Sequence, residues 1–233
     1  MIDTSFDFQA EAGGRDSDKY SPTLQEYHRI LWTKNLPNGQ LFKLEKASNN
    51  RLCYKSTTGE FFLSSDRAIT SFWKRKSFEH ITSKFPIEQL KEFDRILDTI
   101  GGILIWPSNR IGQRQTINGA RGFNRMISDR LDLTIECIRR YYNGANSPLF
   151  NTFNLYKDFF DLFETFEGYI EFFLLQDAVS KDYSKVNIAA PFDTFISSPV
   201  PRNVDEFFQY MNKATEFVKL RNKRIAEYAN RIK

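Results

Sequence analysis

The chain has only two cysteines and two histidines among its 233 residues, which limits the chemistry it can support. Cys53 and Cys137 are too few for a disulfide framework or a four-cysteine zinc site. Two histidines leave little room for a histidine-based metal or acid–base site, so we expect no metal and no cofactor. No apolar run approaches the ~18 residues that span a bilayer, and residues 1–13 lack a signal-peptide layout. We therefore expect a reduced, cytoplasmic protein without a membrane partner.

The bulk composition is that of a folded chain. Hydrophobic residues make up 41% and charged residues 27%, so the chain is neither disordered nor fibrous. The net charge of +4 is compatible with nucleic acid or another anion as partner, but many enzymes share it. No internal repeat and no linker divides the sequence, and we predict a single domain over residues 1–233.

Hydrophobic periodicity predicts an α+β fold, mostly helical, with a small antiparallel sheet near the N-terminal third. Residues 1–20 are polar and rich in turn formers, and they are predicted to form an irregular arm. Residues 41–63 alternate between apolar and polar and are predicted to form about three strands. Residues 66–233 are predicted to form the helical part.

Four segments at or beyond the start of the helical part carry specific predictions. Ser65 or Asp66 is suited to cap a helix that runs to about residue 85. The short apolar run at residues 103–106 is either a buried strand or a buried extended crossing. Residues 119–142 are predicted to form the longest helix, and the last helix is expected from about residue 204 to the C-terminus.

The most informative segment spans residues 107–128, which contain four arginines and neither Asp nor Glu. Asn118 is a suitable cap for the helix that follows, and the free N–H groups of a helix start favour an anion. Cations in a first helical turn are unfavourable unless something negative neutralises them. The segment therefore predicts a bound phosphate or carboxylate, or else arginines that pair with carboxylates from elsewhere. The arginines are Arg110, Arg114, Arg121 and Arg125.

Arg130 does not fit the amphipathic pattern of the predicted helix. On a helical wheel it projects into the apolar arc, and Asn124 lies toward the edge of that arc. A buried guanidinium must be paired and hydrogen-bonded, because an isolated one costs several kcal/mol. Arg130 therefore either pins a second segment through an internal carboxylate or lines a pocket.

Two later segments carry opposite charge. Residues 156–182 hold seven acidic and two basic residues, and residues 212–233 hold seven basic and two acidic residues. The acidic segment is typical of a solvated helix face, but its carboxylates are also candidate partners for Arg130 or for the basic loop. The basic segment is typical of a helix C-terminus, or it contacts phosphates. Complementary segments of this kind also permit a homo-oligomer.

Several segments along the chain carry a resemblance to a known family. They are IDTSFDF (2–8), SPTL (21–24) with Tyr27-His28, GEFFLSSD (59–66), QTINGARGFN (115–124), DRLDLTIECIRR (129–140) and FFLLQD (172–177). Together they resemble a bacterial family of uncharacterised proteins, domain of unknown function 6994, over nearly the whole chain. The resemblance implies a bacterial source and one intact domain, and it supplies no activity and no catalytic residues.

Three functional hypotheses follow, and whether the protein is an enzyme stays open. The first is binding of nucleic acid or a phosphate-bearing small molecule, for which a hydrolase would need His28, Asp129 or Asp132 as base. The second is a structural or interaction protein whose arginines are internal salt-bridge pins, and the third is an enzyme acting on a small acidic metabolite. The candidate ligand-binding residues are Arg110, Arg114, Asn118, Arg121, Asn124, Arg125 and Arg130.

Overall fold

Helices and short antiparallel strands share one hydrophobic core in this computed structural model, which describes residues 2–47, 51–57 and 59–232. The helices in these ranges are α1 (Phe8–Glu11), α2 (Ser17–Tyr20), α3 (Pro22–Trp32), α4 (Glu79–Thr82), α5 (Ile87–Leu97), α6 (Ile117–Phe123), α7 (Leu131–Tyr142), α8 (Phe150–Leu155), α9 (Lys157–Asp161), α10 (Phe166–Phe172) and α11 (Val204–Arg231). The strands are β1 (Lys34–Asn35), β2 (Leu41–Phe42), β3 (Glu45–Lys46), β4 (Leu52–Lys55), β5 (Glu60–Arg67) and β6 (Ile103–Pro107). The predicted α+β class is confirmed.

The larger sheet has the strand order β3-β4-β5-β6, and every neighbouring pair is antiparallel. β5 is the longest strand, and it places Leu63 opposite Pro107 and Arg67 opposite Ile103. All five residues of β6 are buried, which explains why this strand reads as a continuous apolar run. Of the two alternatives for residues 103–106, the buried strand is correct. β1 and β2 form a separate two-stranded sheet.

The predictions for the N-terminal arm and for a helix that begins at Ser65 or Asp66 are wrong. The N-terminal arm contains the short helices α1 and α2, whose caps Asp7 and Asp16 accept hydrogen bonds from the N–H groups of Ala10 and Asp18. Four-residue helices are too short to show a hydrophobic period, so the sequence pattern missed them. The helix expected from Ser65 or Asp66 is absent, because both residues continue β5 and pair with β6.

The long helix predicted over residues 119–142 is two helices, α6 and α7. The break lies between them, where Ser128 and Asp129 have positive φ angles of 50° and 61°. The Asn124 side chain accepts a hydrogen bond from the Met126 N–H and so stabilises a turn that competes with the helix. Thr116 caps α6 by accepting from the Gly119 N–H, so the prediction that Asn118 is the cap is wrong.

The C-terminal helix is confirmed as α11. It packs against α3, α4, α5 and the 3-10 turns Ile100–Gly102 and Gln176–Ala178. Within the described ranges, no helix is both long enough and apolar enough to cross a bilayer. α11 buries Arg221 completely, and this guanidinium donates to the carbonyls of Phe173 at 3.0 Å, Gly101 at 2.9 Å and Ile103 at 2.9 Å.

We expect Arg221→Ala to lower the free energy of unfolding by about 3–5 kcal/mol, because it leaves several buried carbonyls without a donor. Lys223→Ala, at an exposed position two residues along α11, should change it by less than about 0.5 kcal/mol. Urea unfolding followed by circular dichroism measures both values. Equal losses for the two variants would show that the Arg221 contacts do not stabilise the fold.

Candidate functional site

The seven predicted ligand-binding residues do not line one cleft. Burial divides the arginines into two groups: Arg121 and Arg130 are fully buried, whereas Arg110, Arg114 and Arg125 are exposed. The exposed three lie on the loop before α6 and just after α6. Among the described residues, none of these three has a carboxylate within ion-pair distance.

Arg121 joins α6 to β5 and to α7. Its Nη1 donates to Asp66 Oδ2 at 2.8 Å and lies 3.4 Å from Asp129 Oδ1. Nη2 donates to the Ala68 carbonyl at 2.7 Å, and Nε donates to Thr134 Oγ1 at 2.9 Å. The guanidinium carbon also lies 4.5 Å from the Trp106 ring centroid, within cation–π range. With these partners Arg121 is a structural residue of the fold.

Arg130 precedes α7 and ties it to the irregular segment before α11. Nε and Nη2 donate to the two Asp132 oxygens at 3.0 and 2.5 Å. The remaining donors reach three carbonyls, those of Ala189 at 2.5 Å, Pro191 at 2.8 Å and Pro199 at 2.7 Å. Of the two alternatives, a pin and a pocket residue, the geometry of Arg130 is that of a pin.

The two asparagines have local roles. Asn118 Nδ2 donates to Ser64 Oγ at 3.3 Å, while its Oδ1 is buried and has no partner among the described residues. Asn124 stabilises the turn after α6, and its Nδ2 also donates to the Pro148 carbonyl at 3.4 Å. None of these hydrogen bonds connects either asparagine to an exposed arginine.

The electrostatic mismatch that the sequence suggested at a helix start is absent. Because α6 begins at Ile117 and ends at Phe123, Arg121 lies in its last turn, where a cation is favourable. Arg125 lies outside the helix.

The carboxylates that neutralise Arg121 and Arg130 also do not come from the acidic segment 156–182. From that segment, Asp177 pairs instead with Arg224 of α11 at 2.9 Å.

A second group of polar side chains, which sequence reasoning did not assemble, lines a cavity of about 210 Å³. We call it the polar cavity; Asp18 from α2 and Ser65 from β5 are part of its wall. Behind the wall, Trp32 Nε1 donates to His28 Nδ1 at 2.9 Å. Since Nδ1 accepts, the neutral imidazole carries its proton on Nε2 and donates it to Ser65 Oγ, 2.8 Å away. His28 is thus a donor to Ser65 and not a base that activates it.

Three carboxylates of the polar cavity, Asp18, Asp66 and Asp98, have a raised pKa. Burial raises the pKa of Asp66 to about 6, against the opposing effect of Arg121. Burial likewise raises the pKa of Asp98 to about 6, against Arg67. Asp18 accepts from the Ser65 N–H at 3.1 Å, and burial raises its pKa as well. With pKa values of about 6, Asp66 and Asp98 can exchange protons near neutral pH.

The part of the chain that the structure describes gives little support to metal binding or to catalysis by a cysteine or an aspartate. There, no group of three or more His, Cys, Asp or Glu side chains is arranged to hold a metal ion. Cys53 and Cys137 are buried, and burial raises the pKa of both thiols to about 12, which makes them poor nucleophiles. The proposed bases Asp129 and Asp132 are occupied by Arg121 and Arg130.

The comparisons with known proteins give a family but no activity. A family model described as a family of unknown function, DUF6994, matches residues 2–225. No curated protein and no solved structure is significantly similar to the chain. A function for this chain must therefore be inferred from its geometry.

The division between buried and exposed arginines predicts opposite effects of substitution. Arg121→Lys should lower the free energy of unfolding by about 2–4 kcal/mol, because an ammonium group cannot reach Asp66, Ala68 and Thr134 together. Arg125→Ala should change it by less than about 0.5 kcal/mol. Urea unfolding of both variants measures the two changes. An Arg121→Lys protein as stable as the unsubstituted one would show that Arg121 has no structural role.

Burial lowers the pKa of His28 to about 3, aided by the charge of Arg221. The unfolded imidazole takes up a proton near pH 6.5, so below that pH the unfolded state binds one more proton. We therefore expect His28 to contribute a loss of stability of about 1.4 kcal/mol per pH unit between pH 6.5 and 4.

His28→Gln should remove this slope, whereas His80→Gln, at an exposed position, should keep it. Denaturant unfolding at several pH values measures the difference between each variant and the unsubstituted protein. Asp66 and Asp98 contribute a slope of opposite sign between about pH 4 and 6, but they are present in all three proteins and cancel. Parallel curves for His28→Gln and the unsubstituted protein would show that His28 titrates normally.

Proposed function

Because the chain belongs to this family of unknown function, which brings no activity, we propose a function from the geometry: the protein binds single-stranded nucleic acid. The binding site is the surface formed by Arg110, Arg114 and Arg125 with Phe123, which we call the basic surface. The observation that carries the proposal is that these three guanidiniums are exposed and unpaired among the described residues, in a segment without acidic residues.

Unpaired exposed cations attract phosphates because binding releases the counterions condensed on the nucleic acid. The three arginines are spread along a loop and the end of α6, and none of them lines the polar cavity. A small phosphate ligand requires a concave site, whereas an extended polyanion can lie along an open surface. This arrangement favours a nucleic acid over a phosphorylated small molecule.

Phe123 favours a single strand over a duplex. Its side chain is 78% exposed at the end of α6, two residues from Arg125. Exposed aromatic rings next to arginines are typical of surfaces on which unpaired bases stack, and each stacked base contributes about 1–3 kcal/mol. In a duplex the bases are already stacked and not accessible to this ring.

We infer that the C-terminal basic segment does not extend the basic surface. α11 packs on α3, α4 and α5, whereas α6 packs on α8 and β6. Arg221 is buried and Arg224 is paired with Asp177, and Lys233 lies outside the described residues. We therefore assign the phosphate contacts to the basic surface alone.

The test is fluorescence anisotropy with a labelled 20-nucleotide single-stranded RNA, a single-stranded DNA and the corresponding duplexes. With three phosphate contacts, raising the salt from about 50 to 200 mM should weaken single-strand binding roughly twentyfold. The triple variant Arg110→Ala/Arg114→Ala/Arg125→Ala should lose that salt dependence, and Phe123→Ala should weaken binding roughly tenfold.

The matched control is Lys76→Ala/Lys84→Ala/Lys223→Ala, which removes the same charge from three exposed positions elsewhere. It should retain both the affinity and the salt dependence. Equal losses in the two triple variants would mean that only net charge matters. No binding by the unsubstituted protein at 50 mM salt would reject the proposal outright.

A further inference from the structure

A larger cavity is lined by none of the residues that form the basic surface. Its volume is about 630 Å³, within the usual range for sites that bind small molecules. The start of α7, the segment 177–189 and the middle of α11 form its walls. We call it the α11 groove.

The wall formed by residues 177–189 is fixed by hydrogen bonds although it contains little regular structure. Val179 and Val186 form an isolated antiparallel bridge, and Asn187 Nδ2 donates to the carbonyls of Asp177 and Val179. The Ala189 N–H donates to Asp132 Oδ2 at 2.9 Å, next to the Arg130 contacts. The groove is therefore preformed, which lowers the entropic cost of binding a ligand.

The interior of the groove is apolar and partly exposed to water. Leu131, Ile135 and Ala214 line it but are buried. Val186, Ile188 and Phe217 also line it, and each of them is half-buried. At its rim, Leu220 is 43% exposed. Apolar surface of this kind is covered favourably by a hydrocarbon or aromatic group at about 25 cal/mol per Å².

The charges around the groove leave a positive excess. Asp132 is neutralised by Arg130, and Asp177 is neutralised by Arg224. Lys185 and Lys213 have no carboxylate within ion-pair distance among the described residues, and Lys213 Nζ lies 3.4 Å from the Ile188 carbonyl. Glu216 is the carboxylate that remains, so two cations face one anion.

We propose that the α11 groove binds a small amphipathic molecule with an apolar body and a single carboxylate. The body lies against Val186, Ile188 and Phe217, and the carboxylate lies toward Lys185 and Lys213. This site is separate from the basic surface, so substitutions at Arg110, Arg114 and Arg125 should not affect it.

The probes are decanoate and 1-decanol, which share an apolar chain and differ in the charged head. Isothermal titration calorimetry on the full chain should show binding of decanoate, with 1-decanol weaker. The double variant Lys185→Gln/Lys213→Gln should weaken decanoate binding roughly tenfold and leave 1-decanol unchanged. Lys219→Gln/Lys223→Gln removes the same charge from exposed positions of α11 that do not line the groove, and it should bind both probes normally.

Two further variants test the apolar part. Ala214→Phe fills the groove and should abolish binding of both probes, with thermal unfolding as the check that the protein still folds. Leu220→Glu, at the exposed rim, adds a negative charge to the lining of the groove and should weaken decanoate more than 1-decanol. Binding of decanoate that survives Ala214→Phe in a folded protein would place it elsewhere and overturn the proposal.

Size-exclusion chromatography with light scattering examines the competing occupant, a second copy of the chain. A dimer that Leu220→Glu dissociates, together with no decanoate binding, would mean that the groove is a protein interface and would overturn the proposal. A monomer that binds decanoate with the expected response to Lys185→Gln/Lys213→Gln supports it.

Discussion

Three guanidiniums that have no contact with water determine how this chain is held together. Arg121, Arg130 and Arg221 are each fully buried, and a buried cation is tolerated only when its donors are satisfied. Arg121 and Arg130 each have a carboxylate, whereas within the described residues the hydrogen bonds of the Arg221 guanidinium all go to carbonyl oxygens. Each guanidinium joins segments that lie far apart in the sequence, and the folded arrangement of those segments depends on it.

The choice of arginine follows from the kind of backbone that surrounds these side chains. The carbonyls of Ala189, Pro191 and Pro199 belong to an irregular segment, where no helix or strand supplies N–H donors. A buried carbonyl without a donor costs free energy, and the planar guanidinium offers five donors in fixed directions. Arg130 therefore supplies this segment with hydrogen-bond donors, as a neighbouring strand does in a sheet. An apolar residue at position 130 would pack well but leave three carbonyls unpaired.

The parts of the fold that the sequence predicted are those with a repeated hydrophobic period. The α+β class, α11 and the antiparallel sheet were predictable in this way, as was the need of Arg130 for a buried partner. The break at Ser128 and Asp129 was not predictable, because this turn depends on a contact of the Asn124 side chain. The cap of α6 was not predictable either, because Thr116 and Asn118 are both good caps. The carbonyl partners of Arg130 could not be predicted either, because every residue has a backbone carbonyl and the sequence does not show which of them accepts a hydrogen bond.

The buried and the exposed arginines of residues 107–130 have different roles, but they are coupled through the backbone. Arg121 fixes α6 against β5 and α7. This contact therefore fixes the position of the exposed side chains of Phe123 and Arg125. Arg130 fixes one wall of the α11 groove in the same way, through Asp132 and Ala189. Loss of binding after a change at Arg121 or Arg130 therefore does not identify a ligand contact. Only exposed positions such as Arg125 and Lys213 separate recognition from stability, because their side chains can be removed while the frame beneath them stays intact.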